Sequence, residues 1–187
     1  MIKLAIIDNY DSFTYNLVHY LEPIVDKVYV FRNDEIDWEI LNSATHILLS
    51  PGPGLPQEAN DLMKVIDQCH NSHSILGVCL GHQAMALYFG MELSNMNEVK
   101  HGVFSNIQVL NSDCLFNNLP EKFNIGHYHS WEVVDVKSPL IPTSLNDEGI
   151  LMSFRHNKLK LFGIQFHPES ILTENGEKIL QNWLCIS

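Results

Sequence analysis

Residues 77–83, GVCLGHQ, place a cysteine between two glycines, directly after an apolar run. The run SILGVC (residues 74–79) predicts a buried strand, and the segment after it predicts a helix that ends at Gly90. Where a strand turns tightly into a helix, side chains two residues before and after the tip would collide, so glycines are required there. The pattern G-x-C-x-G therefore predicts an elbow with Cys79 at its tip and its sulfur exposed.

The predicted elbow gives Cys79 an environment that suits a nucleophile. The amino terminus of a helix favours negative charge, and this lowers the pKa of a thiol placed there. The backbone amide of Leu80 is expected to point toward an oxyanion formed at Cys79. The alternative is a structural cysteine that only fills space at a tight turn.

A cysteine nucleophile requires a general base, and His167 is the best placed of the ten histidines. It lies in GIQFHPES (residues 163–170), at the end of an apolar strand, where α/β folds place their sites. Pro168 favours an extended conformation at His167, and residues i and i+2 of an extended chain project to the same side. Glu169 is therefore predicted to orient the imidazole and complete a Cys-His-Glu triad. The alternative is a surface loop with a capping glutamate.

A third stretch, SPGPG (residues 50–54), also follows an apolar strand. Its prolines stiffen the loop, and its glycines leave backbone amides uncovered by side chains. Such a loop near Cys79 could supply a second amide to an oxyanion and a surface for a small polar substrate. A rigid turn without a binding role is the alternative.

The first 90 residues alternate between predicted strands and predicted helices, which indicates an α/β fold. Asp11 is expected to cap the first helix, and apolar residues at helical spacing are expected to face the core. In that helix these are Phe13, Leu17, Tyr20 and Leu21, and in a helix over residues 60–70 they are Leu62, Val65, Ile66 and Cys69. Strands are predicted at residues 2–7, 28–31, 46–50, 74–79, 103–109, 131–136, 150–154 and 161–166, and a closing helix at 172–184.

The predicted elements form one domain over residues 1–187. The alternating first half predicts parallel strands, whereas the short separations in the second half predict antiparallel or mixed pairing. We therefore predict a central mixed, mostly parallel sheet that is flanked by helices.

Composition and charge exclude several classes of protein. A formal net charge of −11 offers no basic surface to nucleic acid or to an anionic membrane. The apolar runs are too short for a membrane span of about 20 residues or for a signal peptide. Four cysteines without paired spacing predict neither a disulfide scaffold nor a zinc site. We therefore expect a cytoplasmic protein, and we expect Cys69, His70 and His73 to be solvated rather than to bind a metal.

The stretches SPGPG, GVCLGHQ and GIQFHPES, in this order, closely resemble the motifs of the class I (triad-type) glutamine amidotransferases. The resemblance covers the whole chain and implies a single amidotransferase domain, residues 1–187, with a flavodoxin-like core. IIDNYDSFTYNLVHYL and HPESILTENG resemble the glutaminase subunit (component II) of anthranilate synthase or that of 4-amino-4-deoxychorismate synthase. The sequence does not decide whether the subunit serves tryptophan biosynthesis, folate biosynthesis or both.

The resemblance also implies a role for each motif. Cys79 would attack the side-chain amide of L-glutamine, release ammonia and form a glutamyl thioester. His167 would act as the base and then as the acid, oriented by Glu169. The amides of Gly54 and Leu80 would hold the oxyanion. The positions that match those binding glutamine in the family are Gly52, Pro53, Gly54, Gln83, Ser130 and Trp131.

Three further expectations concern the surroundings of these residues. The family more often has leucine at the position of Trp131, so contact with glutamine through its backbone or its side chain stays open. His127 and His129, which flank Tyr128, are expected to have a structural or interface role. The resemblance places the loop of residues 9–12 near a partner surface.

The predicted domain leaves no residues to bind an acceptor of ammonia. Free ammonia is mostly protonated at neutral pH, so the acceptor site is expected in another chain that docks over the glutaminase. The resemblance implies a larger chorismate-binding synthase subunit that needs magnesium, whereas this chain is expected to need no metal or cofactor. The alternatives are another Cys-His-Glu hydrolase, such as a γ-glutamyl peptidase or the glutaminase of a different pathway, and a non-catalytic regulatory or binding module of the same fold.

Overall fold

A single mixed sheet of nine strands crosses the protein, and helices pack on both of its faces. The computed structural model describes residues 1–110 and 113–186, apart from the side chains of residues 97 and 98. The strands are β1 (Lys3–Asp8), β2 (Lys27–Arg32), β3 (His46–Leu49), β4 (Ser74–Val78), β5 (Glu92–Val109), β6 (Lys122–Val134), β7 (Leu140–Asn146), β8 (Leu151–His156) and β9 (Leu161–Ile164). The helices are α1 (Thr14–Leu21), α2 (Trp38–Ser43), α3 (Leu62–Cys69), α4 (Leu80–Tyr88) and α5 (Gly176–Leu184).

The strand order is β2-β1-β3-β4-β9-β8-β7-β5-β6. The first five strands in this order are mutually parallel, and the other four extend the sheet with antiparallel pairings. This arrangement confirms the predicted mixed sheet with a parallel core. Because parallel strands end at the same edge, the segments after β1, β3, β4 and β9 meet there.

The central strands are buried on both faces, as expected for a parallel sheet covered by helices. In β1, Leu4 and Ile6 join the core formed with α1 and α5, whereas Ala5 and Ile7 join the core formed with α2, α3 and α4. The predicted apolar face of α3 is confirmed, because all four of its residues are buried. No helix within the described ranges is long and apolar enough to cross a membrane.

Two predictions about α1 are wrong. The helix begins at Thr14, and its N-cap residue, Phe13, makes no side-chain capping bond. The side chain of Asp11 instead accepts a hydrogen bond from the backbone N–H of Phe13 at 2.8 Å, ahead of the helix. Phe13 is also 45% exposed, so only part of the predicted apolar face reaches the core.

The second half of the chain departs most from the predicted boundaries. The predicted strand at 131–136 is only the end of β6, and neither β7 nor α2 was expected. The closing helix begins at Gly176 instead of residue 172, because Asn175 has a left-handed φ of 61° immediately before it. A Cβ at Gly176 would also lie 1.9 Å from the carbonyl oxygen of Pro168, so this turn packs directly against the HPES segment.

Candidate active site

Cys79 lies at the turn between β4 and α4, with a φ of 50° that few non-glycine residues adopt. A Cβ built at Gly77 would lie 2.4 Å from the carbonyl carbon and oxygen of Gly81. A Cβ at Gly81 would lie 2.5 Å from the carbonyl oxygen of Leu49. Both distances are far below normal contact, so the turn requires the two glycines, as the sequence predicts.

The predicted exposure of the cysteine sulfur is wrong. Cys79 is only 6% exposed, and it opens onto a cavity of about 150 Å³ instead of bulk solvent. The loop of residues 52–54 and the middle of β6 form the other walls of this cavity and cover the elbow. A ligand must therefore enter the cavity to reach the sulfur.

His167 and Glu169 form a buried pair across Pro168. The Nδ1 atom of His167 lies 2.6 Å from Oε1 of Glu169, and the two residues are 4% and 5% exposed. An ionised carboxylate only accepts, so Nδ1 carries the proton. The other ring nitrogen, Nε2, has no hydrogen-bond partner among the described residues and is free to exchange a proton.

The charges around His167 favour its protonated form. Burial lowers the pKa of this imidazole, but the nearby Cys79 and the hydrogen-bonded Glu169 outweigh burial and raise the pKa to about 10. The imidazolium form of His167 is therefore favoured, and an imidazolium near a cysteine is an environment typical of a cysteine nucleophile.

All six residues predicted to bind a substrate line the same cavity as Cys79. They are Gly52, Pro53, Gly54, Gln83, Ser130 and Trp131, and Tyr128 and His129 complete the lining. Two of the sequence motifs, SPGPG and GVCLGHQ, therefore converge with the middle of β6 on one small space, although 78 residues separate Gly52 from Ser130 in the chain.

The two amides predicted to hold an oxyanion are both available. Neither the N–H of Gly54 nor that of Leu80 donates a hydrogen bond to another described residue. Gly54 has a left-handed φ of 74°, and Gly52 packs so closely that an added Cβ would lie 2.8 Å from Cδ2 of Leu80. The loop of residues 52–54 thus lies directly against the elbow.

A buried network of asparagines fixes this loop from behind. Asn9 donates from its backbone N–H to Oγ of Ser50 at 2.9 Å and from its side chain to the Ser50 carbonyl oxygen at 2.8 Å. Asn33 in turn donates to Oδ1 of Asn9 at 3.0 Å. The sequence places Asn9 only in a loop near the partner surface, and its supporting contacts depend on strands that are distant in the chain.

The carbonyl oxygen of Trp131 accepts two hydrogen bonds within the protein. One comes from Nε2 of Gln83 at 3.0 Å and the other from Nδ1 of His129 at 2.9 Å. Both lone pairs of this carbonyl are therefore occupied. Any contact of Trp131 with a ligand must involve its N–H or its indole.

His127 and His129 belong to a buried hydrogen-bonded chain that ends at the same carbonyl. Because His129 donates from Nδ1, its Nε2 accepts from Nδ1 of His127 at 3.1 Å, and Nε2 of His127 accepts from the hydroxyl of Ser105 at 2.6 Å. Burial lowers the pKa of both imidazoles to about 4. Both rings are therefore neutral at neutral pH, which supports a structural role for His127 and His129.

Gln165, which lies beside Cys79, is not among the residues predicted from the sequence. Its Nε2 is 3.5 Å from the sulfur, and its Oε1 is 3.1 Å from Nε2 of Gln83. The signal is present in the sequence, because G-I-Q at 163–165 repeats the spacing of G-V-C at 77–79 on the neighbouring strand. Only the observed register of β4 and β9 reveals the correspondence.

A second, more apolar space of about 330 Å³ adjoins the triad and is called here the groove. Tyr128 lines both the groove and the cavity of Cys79, and its ring centroid is 4.9 Å from that of His167. The groove continues to Phe13 of the α1 turn, whose ring centroid is 6.2 Å from that of Tyr128. Its lining residues are Phe13, Asn16, Tyr20, Tyr128, His167, Glu169, Ser170 and Ile171.

The prediction that Cys69, His70 and His73 are solvated is wrong for Cys69 and His73, which are buried. Cys69 is buried, and burial raises the pKa of its thiol to about 11. Nδ1 of His70 lies 3.0 Å from the carbonyl oxygen of Ile66. Across the part of the chain that the structure describes, no group of three or more histidine, cysteine or acidic side chains is arranged to hold a metal ion.

A cysteine at a strand-to-helix elbow, two free amides at that elbow and in the loop against it, and a buried histidine–glutamate pair are the features of an α/β enzyme with a thiol nucleophile. The chain belongs to the class I glutamine amidotransferases. The family model described as "Glutamine amidotransferase class-I" matches residues 5–186.

Individual relatives agree with this family. An anthranilate synthase component 2 from Haemophilus influenzae is 40% identical, and the match covers 98% of each chain. A protein of the same name from Lactococcus lactis is 38% identical over 97% of this chain and 93% of its own. An aminodeoxychorismate synthase from Streptomyces griseus is 39% identical over 97% of this chain, which corresponds to 25% of that longer protein.

The solved structures support the same fold. A glutamine amidotransferase from Thermotoga maritima superposes with a TM-score of 0.73 over 98% of this chain and 80% of its own. Its sequence identity is 15%, so the likeness concerns the fold alone.

Proposed function

We propose that this chain, as one glutaminase domain over residues 1–187, hydrolyses L-glutamine to glutamate and ammonia through Cys79, His167 and Glu169. The observation that carries the proposal is the 2.6 Å bond between Nδ1 of His167 and Glu169, which leaves Nε2 without a described partner and available to exchange a proton. A non-catalytic module of this fold would have no need for a buried charged pair next to a strained cysteine.

The first half-reaction forms the thioester. The Cys79 thiolate attacks the side-chain carbonyl carbon of glutamine, and the amides of Gly54 and Leu80 hold the resulting oxyanion. The imidazolium of His167 then gives the proton on Nε2 to the amide nitrogen as the C–N bond breaks. Ammonia leaves, and a glutamyl thioester remains on Cys79.

The second half-reaction releases glutamate. His167 is now neutral, and Nε2 takes a proton from a water molecule that attacks the thioester carbonyl. The same two amides hold the second oxyanion, and collapse of this intermediate expels the sulfur as a thiolate. Glu169 stabilises the imidazolium each time it forms and keeps the proton on Nδ1.

We propose that the ammonia is delivered to a larger chorismate-binding synthase subunit and that the chain is the glutaminase subunit (component II) of anthranilate synthase. Two relatives that match over almost their whole length carry the name anthranilate synthase component 2, which supports this assignment. A subunit of aminodeoxychorismate synthase, or one shared by both synthases, is the second candidate, because a protein of that name also matches.

The groove and its rim are the proposed docking surface. Ile171 is 99% exposed and Phe13 45%, and Tyr10 and Tyr15 nearby in the chain are 50% and 65% exposed. Apolar side chains exposed together beside a buried site are typical of a surface that a partner covers. Since the groove also contains His167 and Tyr128, a docked partner would lie directly over the triad.

A reconstitution assay tests both levels of the proposal. The chain is mixed with L-glutamine, chorismate, magnesium and candidate large subunits, and anthranilate and aminodeoxychorismate are measured separately. Anthranilate formation supports the first candidate, and formation of aminodeoxychorismate alone supports the second. We expect weak glutaminase activity in the isolated chain and stronger activity in the complex.

A labelling experiment distinguishes the catalytic proposal from its alternatives. Diazo-oxo-norleucine, an electrophilic analogue of glutamine, should modify Cys79, and peptide mapping should locate the label. Absence of label would support a binding module. Turnover of γ-glutamyl peptides without turnover of glutamine would support a different hydrolase.

We also propose a cytoplasmic location. All four cysteines are free, although two of them, Cys114 and Cys185, are exposed. Free exposed thiols are typical of a reducing compartment.

A further inference from the structure

Gln165 lies beside Cys79 because their strands are in register. Gly77 of β4 is paired with Gly163 of β9. Cys79 lies two residues after the first glycine, and Gln165 lies two residues after the second. Nε2 of Gln165 comes within 3.5 Å of the Cys79 sulfur. Gln165 is fully buried, so water does not compete for this contact. The register of β4 and β9 therefore places the Gln165 amide next to the Cys79 sulfur.

The orientation of the Gln165 amide follows from a single acceptor. The carbonyl oxygen of Trp131 can only accept, so the Gln83 atom 3.0 Å away must be the amide nitrogen. This nitrogen also lies 3.1 Å from Gln165, so the Gln165 atom at that point must be its oxygen. Gln165 therefore turns its NH₂ group toward Cys79.

We propose that Gln165 stabilises the thiolate of Cys79 and that Gln83 holds Gln165 in the orientation required for this. The inference rests on the proposed function, because it assigns Gln165 a role in that reaction. A hydrogen-bond donor at the sulfur favours the charged form over the neutral thiol. Gln165 would act twice in one turnover, on the attacking thiolate and on the thiolate expelled when the thioester is hydrolysed.

The proposed contact also predicts which kinetic constant changes. Gln165 is fully buried, and its side-chain amide contacts Cys79 and Gln83, so its expected effect is on the sulfur. Loss of its N–H should lower kcat and leave the KM for glutamine nearly unchanged. A residue with only a packing role would not be expected to change the ionisation of the sulfur.

The direct test is the pH dependence of alkylation of Cys79 by iodoacetamide in the isolated chain, with peptide mapping to separate its signal from the other cysteines. The variants Gln165→Leu and Gln165→Met remove the donor and keep a similar volume. We expect each to raise the apparent pKa of Cys79 by about one unit and to slow alkylation about tenfold at neutral pH. Gln68→Leu, on the exposed side of α3, is the matched control and should have no effect.

A third variant tests the role of Gln83 in orientation. Gln83→Met leaves Gln165 in place but frees its amide to rotate, so we expect a smaller shift of the Cys79 pKa in the same direction. If neither Gln165 variant is folded, as judged by the absence of cooperative unfolding in urea, the Cys79 pKa of the Gln83→Met variant provides the test instead. An unchanged Cys79 pKa in the folded variants would overturn the inference.

The inference and the proposed function fail in distinguishable ways. If the wild-type chain neither hydrolyses glutamine nor reacts with diazo-oxo-norleucine, the proposed function is wrong. If the wild-type chain does both and folded Gln165 variants keep its pH profile and kcat, only the role of Gln165 is wrong.

Discussion

The backbone N–H of Cys79 donates a hydrogen bond of 2.9 Å to the carbonyl oxygen of Ile164. This bond joins the elbow after β4 to the last residue of β9, and the chain reaches His167 three residues later. The separation of the proposed nucleophile and base therefore depends on two adjacent strands and on a short segment that packs against α5. Side-chain substitutions at the site should leave this backbone frame intact.

Replacing Cys79 with alanine should abolish glutamine hydrolysis. Loss of the nucleophile in a triad lowers kcat by roughly 10⁴-fold or more, because the remaining groups only bind and polarise the substrate. Ammonia supplied in place of glutamine should still support product formation by the complex. Cys185→Ser, at an exposed cysteine, is the control and should keep full activity. Glutamine-dependent activity in Cys79→Ala would contradict the proposed mechanism.

Glu169→Gln should keep the shape of the site and lose most of its activity. The carboxylate contributes to the raised pKa of His167, so its loss should lower that pKa and destabilise the imidazolium. We expect kcat/KM to fall by about 10²- to 10⁴-fold, measured across a pH series. Glu177→Gln, an exposed change at the start of α5, should match the wild type. An unchanged pH profile in Glu169→Gln would show that the carboxylate does not set the charge of His167.

Gly77→Ala should destabilise the protein more than a glycine substitution at an open left-handed position. The new Cβ would lie 2.4 Å from backbone atoms of Gly81, so the elbow must shift, at a cost of about 3 kcal/mol. Gly90 has a φ of 80° and no described atom within 4 Å of an added Cβ, so Gly90→Ala should cost only about 1–2 kcal/mol. Urea unfolding of both variants provides the comparison, and equal losses would exclude the close approach as the reason for Gly77.

The buried histidines predict a loss of stability in mild acid. Burial lowers the pKa of His127 and His129 to about 4 and that of His82 to about 3, whereas the unfolded chain titrates near 6.5. Below pH 6.5 the unfolded state binds more protons, so the free energy of unfolding falls as the pH falls toward 4.

The size of this effect can be measured by urea unfolding. We expect each of these three imidazoles to contribute a loss of about 2 kcal/mol between pH 7 and pH 5. The raised pKa of His167 favours the folded state as the pH falls, so it offsets part of the total. The conservative variant His127→Gln should reduce the pH dependence, whereas His19→Gln, at an exposed position of α1, should not change it. The same slope in both variants would refute the contribution of the buried chain.

Ile171→Lys should weaken the complex without affecting the isolated chain. The side chain is 99% exposed at the rim of the groove, so its replacement removes apolar contact with a partner and leaves the triad unchanged. We expect an affinity loss of about tenfold or more for the large subunit, measured by titration calorimetry, with an unchanged rate of Cys79 alkylation. Ile24→Lys, an exposed isoleucine before β2, should bind normally. Equal binding by both variants would place the partner elsewhere.

The parallel half of the fold was predictable because its signals are local. Each of β1, β3 and β4 is a short apolar run that ends in a loop or glycine turn, and α3 shows buried residues at helical spacing. Signals in the antiparallel half are weaker. Pro142 interrupts β7, where the register with β8 also shifts, and a proline within a run argues against a strand.

The triad and the cavity residues were predictable from motifs, whereas their hydrogen-bond partners were not. The need for glycine at position 77 could be predicted from the sequence, because the backbone atoms that approach it belong to Gly81 in the same five-residue turn. The contacts of Gln165 and Asn33 could not be predicted, because they depend on strand register and on which loops meet at the same edge of the sheet. The burial of Cys79 likewise depends on β6, which lies far along the chain and covers the elbow.

Tyr128 lies between two chambers, since it lines both the cavity of Cys79 and the groove. A rotation of this one side chain would enlarge one chamber at the expense of the other. The path by which ammonia leaves Cys79 and the fit of a partner in the groove would therefore both depend on the position of the Tyr128 side chain.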